Sequence, residues 1–509
     1  MQPARRAAHQ EANVLRLKRL GIDTNQELVV FVARSSPVCR SEGWGAESRV
    51  QVTCARRSII TALHVTTDGL LGDDEVSFSE AAWQLVEASE GDLARLSHAP
   101  PVESLRALRA KVYGETLGAA DVYGIMRDIV AGRYSDIDLA AFVTAFAGPK
   151  VDVSEAVALA RAMIDTGERL YWGHSPIVDK HCVGGLPGNR TSMIVVPIVA
   201  ACGLTIPKTS SRAITSPAGT ADAMETIAPV DLDLATMRRV VEREHACIAW
   251  GGRVRLAPAD DIIISVERPL DFDSPVQMVA SILSKKAAAG STHVVVDLPI
   301  GPTAKVRSTA AADVLASLLQ SVGDALGLAL RVVRTDGTQP VGRGIGPALE
   351  ARDVLAVLRQ DADAPADLRE RALALAGHVL EVGGAAVTGL GAARAAQALD
   401  SGAAYKKFEA ICAAQGGMRE PRVAPLNYVV TATRPGRISQ FDNRRLARLA
   451  KLAGAPRAAT AGIELHARLG ASIVRGQPLL TIHADAPGEL EYARSYLAAN
   501  PQMIDLAEP

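Results

Sequence analysis

The chain has 509 residues, enough for several domains with sizeable cores. Hydrophobic residues make up 48% and charged residues 22%, ordinary proportions for a globular protein. The formal net charge of −1 gives no bulk electrostatic support for nucleic-acid binding, so any anion site must be local.

The six cysteines (Cys39, Cys54, Cys182, Cys202, Cys247 and Cys412) include no C-x-x-C pair. They read as reduced thiols, with neither a disulfide framework nor a metal site expected. Residues 1–12 are basic but lack an apolar h-region, and the most apolar stretch, 193–206, is too short for a span and contains Pro197. A cytoplasmic protein with no membrane partner is the expectation.

Taken in order, residues 1–98 alternate short apolar runs at 27–33, 49–53 and 58–65 with Gly and Asp punctuation, which predicts a small β-rich domain. A short helix is expected over 79–86, and His98-Ala-Pro-Pro-Val102 reads as a linker. Residues 99–175 turn to helical periodicity, with stripes such as Leu139, Phe142, Val143 and Phe146, and with Ser135 and Ser154 as expected N-caps.

From 176 to 428, β-type runs at 247–250, 262–266, 292–297 and 328–333 alternate with amphipathic segments at 234–245, 275–289 and 309–326. That alternation predicts an α/β domain with a mainly parallel sheet. Residues 429–509 return to short strands and turns and close on a helix over 489–498. The run 461–483 resembles the hammerhead folds of biotinyl and lipoyl carriers but has no lysine at the presented turn. The fold class expected is therefore multidomain α/β with a C-terminal α+β hammerhead-like domain.

Chemistry concentrates between 177 and 225. Two loops rich in Gly, Ser and Thr flank the apolar, helix-like run 193–203, and they carry Lys180, His181, Arg190, Lys208 and Arg212. Small residues expose backbone N–H groups while hydroxyls and cations add donors, a combination suited to a phosphate-sized anion. The known nucleotide motifs fail. Gly185-Leu-Pro-Gly188-Asn-Arg-Thr lacks the P-loop spacing and lysine, and Gly342-Arg-Gly344-Ile-Gly346 lacks the final glycine spacing of a dinucleotide fingerprint. Cys182, within the first loop, could act as a nucleophile but has no base beyond adjacent His181.

The stretch Ser210-Ser-Arg-Ala-Ile-Thr-Ser-Pro-Ala-Gly-Thr-Ala-Asp-Ala-Met-Glu225 resembles the signature of the thymidine/pyrimidine-nucleoside phosphorylase family. Val178-Asp-Lys-His-Cys-Val-Gly-Gly185 resembles that family's Lys-His-Ser-x-Gly-Gly loop, with Cys182 in place of a phosphate-binding serine. Leu256-Ala-Pro-Ala-Asp260 and Ala280-Ser-Ile-Leu-Ser-Lys-Lys286 also match, in order. The SSRAITSPAGT and VVDLPIGPTAKVRS stretches, with the extra N-terminal domain, are similar to the branch that holds the AMP phosphorylases.

This resemblance implies phosphorolysis of an N-glycosidic bond by a homodimer, or a higher oligomer, with inorganic phosphate as co-substrate and no cofactor. It places phosphate near Lys180, Ser192, Ser210 and Thr220. It implies Gly185, Ser211, Arg212, Ala213, Ile214, Thr215, Ser216, Thr220, Ser281 and Lys305 as substrate contacts and Asp273 as the catalytic acid. Arg268 and Lys285 are the corresponding base contacts.

Two departures bear on the substrate. Ser265 stands where pyrimidine enzymes carry a Tyr, and Ser216 where they carry a His. Thymidine and a nucleoside 5′-monophosphate such as AMP both remain open. So do a magnesium-dependent phosphoribosyltransferase and a nucleotide-binding regulator without turnover.

Overall fold

In the run Arg49–Cys54 every second side chain is buried, the signature of a strand with one face on a core. It is one of six strands in the N-terminal segment: β1 (Val14–Leu17), β2 (Val29–Ala33), β3 (Arg49–Cys54), β4 (Arg57–Thr66), β5 (Glu75–Phe78) and β6 (Leu93–His98). They close into a barrel in the order β1-β5-β2-β4-β3-β6. The pairs β1–β5 and β2–β4 are parallel and the others antiparallel. Closure leaves no free sheet edge, and Val30, Val50, Val52, Leu63, Phe78 and Leu96 fill the core.

The computed structural model describes residues 13–24, 27–45, 48–148, 151–213, 216–270 and 274–507. Contacts divide the chain into two compact units, Met1–Arg106 with Asp128–Asp138, and Ala107–Arg127 with Leu139–Pro509.

The α/β part of the second unit is built on the strands β7 (Val178–Cys182), β8 (Ile206–Ser210), β9 (Ala246–Trp250), β10 (His293–Ile300) and β11 (Ala329–Asp336). The sheet β11-β10-β7 is parallel, as is the pair β8–β9. A parallel bridge between Ile177 and Thr205 joins the segments leading into β7 and β8. The carboxyl ends of β7, β8 and β10 therefore share one rim, where parallel α/β sheets bind ligands.

The helix Ser192–Ala201 is buried from Ser192 through Ala200, as its all-round apolarity requires, and packs against the helices Ala366–Val382 and Ala403–Gln415. The helix Val153–Asp165 packs on Pro275–Ala288. Buried Glu155 takes both Lys111 Nζ bonds, at 2.7 and 2.6 Å, and the Leu117 amide at 2.9 Å, which satisfies a carboxylate placed out of water.

At the C-terminus, β12 (Gly344–Ile345), β13 (Leu426–Thr431), β14 (Gly436–Phe441), β15 (Gly462–Leu465), β16 (Ser472–Ile473), β17 (Pro478–Ala484) and β18 (Ile504–Ala507) form two antiparallel sheets, β12-β15-β17-β13 and β16-β14-β18. The glycine run at 342–346 is a turn and the short strand β12. A Cβ on Gly346 would lie 2.3 Å from the Ala461 carbonyl oxygen, so close backbone packing explains this glycine.

Two sequence expectations are corrected. Residues 262–266 are helical, within Pro258–Leu270, although three consecutive isoleucines read as a strand. Pro258 opens that helix, Asp260 and Asp261 occupy its first turn, and Ala259, Ile263 and Val266 are buried at helical spacing. The N-cap of Val153–Asp165 is Asp152 and not Ser154, because Asp152 and Glu155 form a reciprocal capping box. Among the described residues no helix is long and apolar enough to cross a membrane.

Candidate active site

The first loop leaves β7 and is anchored by two buried aspartates. Asp179 receives Lys286 Nζ at 2.5 Å and Lys208 Nζ at 3.4 Å, and its Oδ1 accepts the Lys180 amide at 2.6 Å. Lys180, the next residue along the strand, donates through Nζ to Thr191 Oγ1 at 2.7 Å and lies 3.8 Å from Asp297 Oδ2. Asp297 on β10 also accepts from Asn189 Nδ2 at 3.2 Å and Thr335 Oγ1 at 2.6 Å. Charged groups this deeply buried persist only when paired in this way.

The loop needs glycine at two points. Gly185 has φ of +77° and a Cβ there would lie 2.4 Å from the Lys305 amide nitrogen; Gly188 has φ of +75° and would meet the Val341 carbonyl oxygen at 2.0 Å. The chain thus brings Gly185 and the Lys305 backbone into contact, and starts the helix carrying Ser192 directly behind Thr191.

The second loop leaves β8. Lys208 and Ser210 are two residues apart on that strand and share a face. Ser210 Oγ is buried and has no hydrogen-bond partner among the described residues. Asp222 shapes the loop by accepting the amides of Ala213, at 2.6 Å, and Gly219, at 2.8 Å.

Arg212 turns to Glu225, at 2.5 and 2.9 Å, and sits 4.9 Å from the centre of the Trp250 ring. Ser216 Oγ donates to the Ala218 carbonyl at 2.8 Å. Arg190 ties the loops together. It donates to Thr220 Oγ1 and the Ala218 carbonyl, each at 3.1 Å, while its Nε contacts Glu350.

Charge in this centre is unbalanced. Lys180, Lys208 and Lys286 are almost wholly buried against Asp179 and Asp297, which leaves one surplus cation. Burial pushes Lys208 down to about 7, opposed by Asp179 and reinforced by Lys286 and Lys180. Burial and the same lysines hold His181 well below the usual histidine range, so it is neutral. Burial and then Asp297 raise the Cys182 thiol to about 11. A thiol so protonated is a poor nucleophile, which sets that reading aside.

The helix Pro275–Ala288 presents the remaining groups. Ser274 caps it, accepting from the Gln277 amide at 3.3 Å and donating to the Phe146 carbonyl at 2.9 Å. Ser281 and Lys285 lie one turn apart, and Lys285 pairs with buried Asp260. Asp273, Ile214 and Thr215 lie outside the described residues, as does the side chain of Arg268.

Sequence reading missed Asp179, Asp297 and Lys286 as parts of this centre. The usable signal was an acid within an otherwise largely apolar run at Asp297, since such a residue must find a buried partner; Asp179, in the polar run Asp-Lys-His, gave no such signal.

Three family models match: the helical bundle domain of the glycosyl transferase family over residues 105–167, its a/b domain over 174–405, and the pyrimidine nucleoside phosphorylase C-terminal domain over 437–503. A protein of Polaromonas sp. named "Putative thymidine phosphorylase" is 61% identical, over 97% of both chains. The chain belongs to the thymidine phosphorylase family. Its similarity extends to the proteins of that name in Hahella chejuensis, 57% identical over 98% of this chain and 99% of that one, and in Legionella pneumophila strain Paris, 54% identical over 98% and 96%.

The solved anthranilate phosphoribosyltransferase of Thermus thermophilus superposes with a TM-score of 0.51 at 22% identity, over 61% of this chain and 99% of that one. That likeness shows a shared fold. Cys182 is a departure from that resemblance within the first loop. Its Sγ accepts from Asn189 Nδ2 at 3.2 Å and the Gly184 amide at 3.4 Å, two donors that a serine oxygen could also receive.

Proposed function

We propose that the chain is a nucleoside phosphorylase that cleaves thymidine with inorganic phosphate, giving 2-deoxyribose 1-phosphate and thymine. The observation that carries the reading is the buried surplus of lysine charge beside the Ser210 hydroxyl, which has no partner among the described residues, at the rim where the loops after β7 and β8 meet. An anion placed there gains charge-assisted hydrogen bonds in a site already stripped of water.

In the proposed reaction phosphate, held by Lys180, Ser192, Ser210 and Thr220, attacks C1′ of the pentose. The C–O bond forms as the C1′–N bond breaks, and the electron pair leaves on the base. Asp273, which directly precedes Ser274 in the sequence, supplies the proton to the departing base. Arg268 and Lys285 grip the base. Most of the rate enhancement then comes from positioning and fixed charge. A homodimer is the proposed assembly, and no metal or organic cofactor takes part.

A second reading, with AMP or another nucleoside 5′-monophosphate as substrate, is favoured by one observation. Gly185 and Lys305, both contacts for the nucleotide in the AMP phosphorylase branch, touch each other in this structure. The products would be ribose 1,5-bisphosphate and free base.

The test is base release from thymidine and from AMP in parallel, with and without phosphate. Phosphate-dependent thymine release supports the first reading, and adenine release from AMP alone supports the second. Silence with both, and with a panel of other nucleosides and nucleotides, overturns phosphorolysis.

A further inference from the structure

The C-terminal domain, matched over residues 437–503, holds none of the residues assigned to the reaction. It nevertheless grips the loop after β10, which carries Lys305, a substrate contact implied by the resemblance. That loop is a closed ring. The Gly301 amide donates to the Val306 carbonyl at 3.0 Å, the Ala304 amide donates to the Gly301 carbonyl at 3.0 Å, and Ile300 and Val306 form a parallel bridge. Ala304 and Val306 are buried, and a Cβ on Gly301 would lie 2.2 Å from the Gly337 carbonyl oxygen, so the ring is pressed against the turn after β11. A Cβ on Gly185 would lie 2.4 Å from the Lys305 amide nitrogen, so the ring also abuts the first loop. A ring so closed and so packed passes a displacement on instead of absorbing it.

The helix Asn443–Leu452 of the C-terminal domain begins against this ring. Asp442 caps it by accepting the amides of Arg444 and Arg445, each at 3.0 Å, and the Asn443 amide, in the first turn, has no carbonyl to meet inside the helix. That amide donates to Thr303 Oγ1 at 3.1 Å, while the Thr303 hydroxyl donates to the Phe441 carbonyl at 3.4 Å. One hydroxyl thus clasps the backbone on both sides of Asp442. The Asn443 side chain, 1% exposed, donates from Nδ2 to the Gly337 carbonyl at 3.0 Å. Its Oδ1 is buried with no partner among the described residues, an orphan acceptor that costs stability. The polar groups of Asn443 therefore serve the two turns that hold Lys305 in place.

We propose that Thr303 and Asn443 are positioning residues for the nucleoside or nucleotide substrate, through which the C-terminal domain fixes the loop that presents Lys305. This rests on the phosphorolysis reading only for the identity of the substrate that Lys305 meets. Phosphate is assigned to Lys180, Ser192, Ser210 and Thr220, none of which lies on this loop. The clasp therefore acts on one co-substrate and not on the other, which a purely structural role would not do.

Thr303→Val removes the hydroxyl at nearly constant volume, and Thr303→Ser keeps it. With whichever of thymidine or AMP is cleaved, Thr303→Val should raise KM for that substrate about tenfold and leave KM for phosphate within about twofold, because small misplacement of a contact is costly. Thr303→Ser should restore both values, and Asn443→Ala should move the same KM in the same direction. Lys305→Met should raise that KM by itself, and adding Thr303→Val should then change little, since the hydroxyl acts through Lys305. Amide hydrogen exchange over residues 301–307, read by mass spectrometry, should quicken in Thr303→Val and return in Thr303→Ser.

If Asn443→Ala does not fold, the two Thr303 variants still decide. An unchanged KM in Thr303→Val, equal rises in both KM values, a KM that Thr303→Ser fails to restore, full additivity with Lys305→Met, or unchanged exchange overturns the proposal. If no nucleoside or nucleotide is cleaved, phosphorolysis fails by itself, and the same contrast is read in calorimetric binding of thymidine and AMP. Binding weakened in Thr303→Val and restored in Thr303→Ser keeps the inference; no binding, or equal binding by both variants, overturns it.

Discussion

Replacing Asp179 with asparagine keeps the side-chain volume and removes one charge from the middle of the second unit. Asp179 is fully buried, and the side chains of its two lysine partners are 2% and 4% exposed. Neither lysine could recover hydration without opening the sheet. Removing one member of such a cluster leaves uncompensated buried charge, which costs about 3–5 kcal/mol.

Because several domains unfold in this chain, a single midpoint would blur the effect. Amide hydrogen exchange in β7 and β8, read by mass spectrometry, isolates it. The expectation is a loss of about 3 kcal/mol or more in local protection. Lys208→Met alone should be close to neutral, and Asp179→Asn with Lys208→Met should recover roughly 1–3 kcal/mol of the loss. Protection within about 1 kcal/mol of wild type in Asp179→Asn, or a double variant no better than Asp179→Asn, would refute the claim that this carboxylate holds the cluster.

Lys208 also imposes a pH dependence on stability. Its folded value of about 7 lies below its unfolded value of 10.5, so between those limits the unfolded chain holds a proton that the folded chain does not. Unfolding free energy should climb from pH 7 toward 10.5, by at most about 1.4 kcal/mol per unit. The climb should be absent in Lys208→Met and so remain in the wild-type minus Lys208→Met difference; identical denaturation profiles across that range would contradict it.

Gly185→Ala must place a Cβ at positive φ and 2.4 Å from the Lys305 amide nitrogen. The expected result is a loss of about 100-fold in kcat/KM, with little change in barrel stability, since the loop must shift by a fraction of an ångström or more. Activity within threefold of wild type would deny the loop its positioning role.

Cys182, as a neutral thiol, should react slowly with iodoacetamide at pH 7.5, and Cys182→Ser should hold kcat/KM for phosphate within about threefold or improve it. Inactivation by that substitution would restore the thiol as a nucleophile.

How much of this was legible in the sequence varies with the kind of signal. Strands whose alternation is clean, such as Arg49–Cys54, and the apolar helix Ser192–Ala201 follow directly from pattern. The run 262–266 did not, because three isoleucines mask a helical period that only the surrounding burial reveals. The loops were visible through their glycines and hydroxyls, since close backbone approach leaves few alternatives to glycine.

The lysine pair at 285 and 286 was harder. Adjacent helical residues point in different directions, so one meets Asp260 and the other Asp179, and nothing local says which. Long-range charge pairing, from 179 to 286 or from 190 to 350, is settled by topology and has no short-range signature.

The measurement closest to the central claim is phosphorus NMR of the protein mixed with thymidine and inorganic phosphate at equilibrium. A sugar 1-phosphate resonance should grow in step with free thymine, and both should disappear when phosphate is omitted. For AMP the matching result is a second phosphate ester on the same sugar. Base release that proceeds without phosphate, or no new phosphate ester with any nucleoside or nucleotide supplied, would contradict a phosphorolytic site at the ends of β7 and β8.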